Sequence, residues 1–164
     1  MILHSNSVEE TINIGKRIAV LLEADDMLVL TGDLGAGKTH FAKGIASALG
    51  IAEEITSPTF PIMVEYNGSN LQLLHFDLYR LDDPSELEDI AWYELIESGA
   101  VYIVEWGDKF PQELPDDYLE LHFSVCEDGA REINLLAHGL RAEEIVSALQ
   151  CANIPIWEDF SKKQ

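Results

Sequence analysis

Basic residues are scarce in this chain. Ten Lys and Arg stand against 30 Asp and Glu, giving a formal net charge of -20. That balance argues against a protein that grips a nucleic-acid backbone by itself, because such binding rests on a basic face that displaces counterions. Cysteine is nearly absent: Cys126 and Cys151 occur without a C-x-x-C or Cys/His spacing, so no disulfide framework or zinc site is expected and both read as free thiols of a cytoplasmic protein. No apolar run approaches the roughly 18 residues of a membrane helix, and MILHSNSVEE carries neither a basic n-region nor a long apolar h-region, so membrane spanning and secretion are not expected. Repeats and linkers are missing as well. What remains is an ordinary globular composition, 47% apolar over 164 residues, which fits one domain over residues 1–150 and a tail over 151–164.

The acids that are present cluster. Fifteen of them fall between Leu81 and Asp128, with Lys109 as the one base of that stretch. Such a stretch is either a solvated, solubilising face or a docking surface for a basic partner.

Local patterns predict alternating elements. Ser7 opens S-V-E-E, the capping-box spacing, ahead of a helix to about Ala24. Met27 to Thr31 is a continuous apolar run suited to a strand buried on both faces, and Lys38 to Leu49 has helical periodicity with Gly50 at its stop. Pro61 to Tyr66 and Leu71 to Asp77 read as strands joined by the turn N-G-S-N, and Tyr118 to Val125 and Arg131 to Ala137 flank E-D-G-A, giving two antiparallel hairpins. Between them, Pro84 to Glu97 reads as one or two short acidic helices, Ala100 to Val104 as a strand, and Gly139 to Gln150 as a closing helix. With GDLGAGKT at residues 32–39 between the strand at 27–31 and the helix after it, the expected architecture is a three-layer α/β fold of the P-loop NTPase kind, with a mixed, mainly parallel central sheet plus antiparallel hairpins.

Gly32-Asp33-Leu34-Gly35-Ala36-Gly37-Lys38-Thr39 matches G-x-x-x-x-G-K-[ST] between the predicted strand and helix. Glycines let the backbone N–H groups of Gly35, Ala36, Gly37 and the helix start, through His40, converge on phosphate oxygens at the positive end of the helix. Lys38 then reaches the outer phosphates and Thr39 offers its hydroxyl to Mg²⁺. Such a loop needs an acid at a neighbouring strand end. Glu105 ends AVYIV and Asp77 ends LQLLHF, and sequence does not divide metal binding from water activation between them. Ser57-Pro58-Thr59-Phe60 lies where many P-loop proteins place a nucleotide-sensing segment, with Thr59 as a ligand for Mg²⁺ or phosphate, or is an ordinary turn into a strand. His75 reads first as a hydrogen-bonded strand histidine, with a chemical role as the lesser alternative. Arg80 either neutralises charge in transfer or pairs with the acids after it.

GDLGAGKTHF, SPTF, HFDLYR and VEWGD, in this order and at this size, resemble the TsaE family. This is the bacterial ATPase component of the machinery that makes N6-threonylcarbamoyladenosine in tRNA. His40 departs from the threonine usual there and leaves Lys38 and Thr39 intact. The resemblance implies ATP and ADP as ligands with Mg²⁺. Lys38 and Thr39 carry over as phosphate and metal groups, Glu105 as the Walker B acid, Asp77 as a residue needed for turnover, and Thr59 as part of the switch. Trp106 is expected beside the site, Thr11 near the adenine and Arg131 on the far side of the nucleotide. It further implies assembly with TsaD and TsaB, with tRNA met only through those partners. A small-metabolite kinase is the rival from the residues themselves, weakened because the chain has four arginines and no Arg-rich lid. A GTPase lacks its N-K-x-D.

Overall fold

A computed structural model describes residues 1–58 and 61–152. Its elements run β1 (Ile2–Ser5), α1 (Val8–Ala19), β2 (Met27–Gly32), α2 (Lys38–Ala48), β3 (Met63–Asn67), β4 (Gln72–Asp77), α3 (Glu86–Asp89), α4 (Trp92–Leu95), β5 (Val101–Glu105), β6 (Tyr118–Val125), β7 (Arg131–His138) and α5 (Gly139–Cys151), with 3-10 turns at 107–109 and 111–113. One seven-stranded sheet has the order β1-β7-β6-β2-β5-β4-β3. The four central strands β6, β2, β5 and β4 are mutually parallel. Strands β3 and β7 run against them, and β1, antiparallel to β7, rejoins their direction. The mixed, mainly parallel sheet and both hairpins are as the sequence predicts.

Alternation along the strands divides the core in two. Leu28 and Leu30 of β2, Leu73 of β4, and Val101 and Ile103 of β5 face a cluster closed by Ile14 and Ile18 of α1, Phe41 and Ile45 of α2, and Ile145 and Leu149 of α5. The intervening Met27, Val29, Leu74, Phe76, Tyr102 and Val104 face a second cluster closed by Leu87 of α3 and Trp92 of α4. Helices therefore lie on both faces, as expected where central strands read as unbroken apolar runs.

The helix pair α1–α2 sits unusually close. A Cβ on Gly15 would collide with the Phe41 carbonyl oxygen, and one on Gly44 with that of Ile12. Two glycines at the crossing let the backbones touch, and this brings the start of α1 against the loop before α2.

Helix α1 stops at Ala19, short of the predicted Ala24. Leu22 N–H bonds back to Ala19, and Asp25 turns the chain at φ 70° into β2. The Leu21 carbonyl accepts from Arg141 Nη2 at 2.7 Å, while the same guanidinium grips the buried Asp26 through two bonds of 2.9 and 2.8 Å. A residue of α5 thus satisfies the groups that a longer helix would have satisfied internally.

Candidate functional site

The loop between β2 and α2 forms the centre of the site. Gly37 precedes the first helical residue at φ 109°, a left-handed conformation that a side chain would strain, and being glycine it supplies no side chain to cap α2. The first-turn amides are thereby left for an acceptor from outside the helix, at its positive end. A Cβ on Gly35 would meet nothing within 4 Å, so this side of the loop is open. Lys38 is 7% exposed, and its Nζ donates to the Gly32 carbonyl at 2.6 Å and the Asp33 carbonyl at 3.0 Å. The ammonium also stands 5.7 Å from the Trp106 ring centroid, a cation–π distance. Thr39 and His40, both half-buried, follow on the first turn.

Strand register brings the acids together. Asp77 pairs with Glu105 across β4 and β5, and Glu105 pairs with Leu30 across β5 and β2, so both carboxylates stand at the strand ends beside the loop. Residues 73, 75 and 77 share one face of β4, and 101, 103 and 105 one face of β5. This is the face covered by α1 and α2, since Leu73, Val101 and Ile103 belong to that core cluster. Ser57 joins the pair: its hydroxyl lies 3.3 Å from Asp77 Oδ2 and 3.4 Å from Glu105 Oε2. Glu105 is 4% exposed and its other oxygen meets His75 Nε2 at 3.2 Å. After Glu105 the chain turns at Trp106 through φ 62°, rare for a residue with a side chain, and the indole packs against Tyr79 with centroids 5.0 Å apart.

On the other side of β2, Thr11 and Arg131 border Gly37. A Cβ built there would lie 3.5 Å from Thr11 Cγ2 and 4.0 Å from Arg131 Cγ. The Thr11 hydroxyl is bonded to the Ser5 hydroxyl at 2.7 Å and donates to the Ser7 carbonyl at 3.2 Å, and its methyl is the nearer group to the loop. Arg131 donates to the Gly129 carbonyl at 3.3 Å. Lys38, the loop glycines, Asp77, Glu105, Trp106, Thr11 and Arg131, far apart in sequence, are thus gathered around one loop. Thr59 and the tail 153–164 lie outside the described residues.

Two site residues exceed what the sequence signalled. Ser57 reads there as an extended residue before a proline in the SPTF segment, with no role of its own, and His75 chiefly as a satisfied strand histidine, with no partner named. The i, i+2 spacing of His75 and Asp77 before a strand end was the available signal.

Burial, together with the neighbouring Glu105 charge, holds the Asp77 carboxyl above its ordinary value, against the Tyr79 N–H, the Ser57 hydroxyl and His75, which favour the carboxylate. A raised folded-state value means the fold holds this proton more tightly than the unfolded chain. Its stability contribution is complete in acid and is lost as pH rises through the raised value. Asp77→Asn should therefore raise the urea midpoint of the ligand-free protein near neutrality, and the gain should vanish at a pH below the ordinary aspartate range. An equal gain at both pH values would show that the effect is not the charge.

The donor set suits a Mg²⁺-nucleotide. Among the described residues no group of three or more His, Cys, Asp or Glu is placed to hold a metal by itself. Mg²⁺ commonly takes one or two protein oxygens and completes its shell with water and phosphate, and the Thr39 hydroxyl and the Glu105 carboxylate are oxygens of that kind beside the glycine loop.

Comparison with known proteins decides the relationship. The profile described as threonylcarbamoyl adenosine biosynthesis protein TsaE matches residues 5–133. The chain belongs to the TsaE family. TsaE of Bacillus subtilis, a tRNA threonylcarbamoyladenosine biosynthesis protein, is 42% identical over 141 residues, 86% of this chain and 88% of that protein. TsaE of Treponema pallidum is 42% identical over 131 residues, 80% and 96% of the two chains, and that of Haemophilus influenzae is 35% identical over 139 residues, 82% and 87%. The crystal structure of Bacillus subtilis YdiB superposes with a TM-score of 0.77 at 35% identity, covering 93% of this chain and 95% of that one. The fold of that structure is therefore shared along nearly the whole chain. Among the described residues no helix is long and apolar enough to cross a membrane.

Proposed function

We propose that this TsaE-family chain is a Mg²⁺-dependent ATPase of tRNA threonylcarbamoyladenosine biosynthesis, the process for which its relatives are named. The observation that carries the reading is the placement of Asp77 and Glu105, paired in register, beside the Lys38 loop and on the face of the sheet that α2 covers.

The loop amides and the Lys38 ammonium bind and neutralise phosphate oxygens, for which Lys38 need only exchange its bonds to the Gly32 and Asp33 carbonyls. Thr39 and Glu105 would hold Mg²⁺, which supplies further charge neutralisation on those oxygens when bound. Asp77, with its raised proton affinity and its carboxyl at the Ser57 hydroxyl, is the group suited to orient a water and take its proton. Thr11 and Arg131, across β2 from the acids, border the nucleoside end.

Hydrolysis serves repeated transfer cycles made by partners, TsaD and TsaB, which hold the tRNA. A charge of -20 suits a chain that does not grip tRNA directly. The test is modification of tRNA by a reconstituted system with and without this chain. Product should exceed one equivalent of enzyme only with the chain and hydrolysable ATP present. Equal multiple-turnover yield without the chain would overturn the assignment.

A further inference from the structure

Among the buried polar side chains near the loop, one ring has no duty in the mechanism above. His75 is fully buried on β4. Its Nε2 meets Glu105 Oε1 at 3.2 Å, while its Nδ1 is buried and has no hydrogen-bond partner among the described residues. For the fold alone this is a poor choice. An orphaned buried polar atom forfeits the hydrogen bond that water would have given it, and the same-face neighbours Leu73 and Ile103 are aliphatic, so a leucine would suit the surroundings without that loss.

What the ring does is occupy one carboxylate oxygen. Glu105 Oε1 is taken by His75, and Oε2 alone is turned toward Ser57 and, through it, toward Asp77. With Glu105 ionised, Nε2 carries the shared hydrogen and donates it. A side chain with three rotatable torsions is then fixed at its far end by a ring that the strand cannot release.

We propose that His75 is a positioning residue: through Nε2 it holds Glu105 so that a single oxygen, Oε2, is presented toward Mg²⁺ at the loop. The proposal rests on the Mg²⁺-nucleotide reading of the site. Partners that orient a metal ligand in this way are commonly worth about 10- to 100-fold in metal affinity.

The measurement is ADP binding by calorimetry at graded Mg²⁺, which involves no turnover. His75→Leu should raise the half-saturating Mg²⁺ about 10- to 100-fold and leave the Mg²⁺-free ADP affinity unchanged. His75→Gln, whose amide N–H extends about as far as Nε2, should restore most of the loss. In a Glu105→Gln background, His75→Leu should add nothing. A purely structural histidine would instead lower the urea midpoint while leaving the Mg²⁺ titration on that of wild type, and that result overturns the proposal. Should His75→Leu fail to fold, His75→Gln against His75→Asn carries the same comparison, because the Asn amide is one carbon too short; identical titrations for those two would also overturn it. The two levels separate cleanly. If Glu105→Gln shifts the wild-type titration and His75→Leu does not, positioning alone is wrong. If wild type shows no Mg²⁺-dependent ADP binding, the functional reading falls and takes this proposal with it.

Discussion

ATP turnover by the isolated chain should be slow, and adding TsaD and TsaB should raise it by about 10³- to 10⁵-fold, the range that a positive group supplied to the transferring phosphoryl commonly contributes. Of the four arginines, Arg141 is committed to Asp26, Arg17 lies in the last turn of α1, and Arg131 stands across β2 from the acids. Arg80 alone borders Asp77, where the two help to line a cavity of about 30 Å³ with Pro58, Ile62 and Tyr79. The second cation of that side, Lys109, is held by the carbonyls of Tyr79 and Leu81. Asp82 and Asp83 follow Arg80 closely and compete for it, so a further positive charge is expected from a partner. If the acidic stretch from Leu81 to Asp128 guides that partner, the acceleration should shrink at high salt, which screens beyond about 8 Å at physiological strength and more tightly above it. Steady-state phosphate release, with and without the partners at two salt concentrations, measures both effects. Full-speed hydrolysis by the chain alone at every salt concentration would favour a small-metabolite kinase instead.

Asp77→Ala should lower turnover by about 100- to 10,000-fold at unchanged ATP affinity, the span of a lost general base. Glu105→Ala should instead raise the Mg²⁺ requirement. The two acids differ in surroundings although they are neighbours in register. Glu105 is nearly sealed, with one oxygen on His75, which suits a fixed ligand. Asp77 is half-buried and its carboxyl is held high, so it is better able to accept a proton. Mg²⁺ titrations and single-turnover rates on both variants separate these roles. An unchanged Mg²⁺ titration for Glu105→Ala would remove it from the metal.

The loop and its flanks were legible because a buried parallel strand, a glycine turn and a periodic helix each leave a strong local mark within 24 residues, Met27 to Gly50. Both hairpins were legible from their turns. Strand β1 was not: ILHS is four residues long and gains its place only by pairing with β7, with Ile2 opposite Asn134. The end of α1 was misplaced because Leu21 and Leu22 continue the apolar pattern, whereas the decisive contact comes from Arg141 in α5. The same limit applies to the site. Asp77 and Glu105 could be nominated one by one as strand ends, but the Ser57 bridge and the His75 contact exist only once β4 lies beside β5. Non-local partnership, more than residue type, separated what could be read from what could not.

The central claim is that the Lys38 loop binds ATP with Mg²⁺, and calorimetric titration of ATP into wild type and Lys38→Ala tests it most directly. Contacts from a charged donor contribute about 1.5–3 kcal/mol, so the variant should bind about 10- to 150-fold more weakly. Its fold should survive, because among the described residues the Lys38 ammonium donates its hydrogen bonds to the nearby Gly32 and Asp33 carbonyls and otherwise meets the Trp106 ring. Tight, Mg²⁺-dependent binding by wild type with that loss in the variant is the result expected; equal ATP affinity for the two proteins would contradict the assignment.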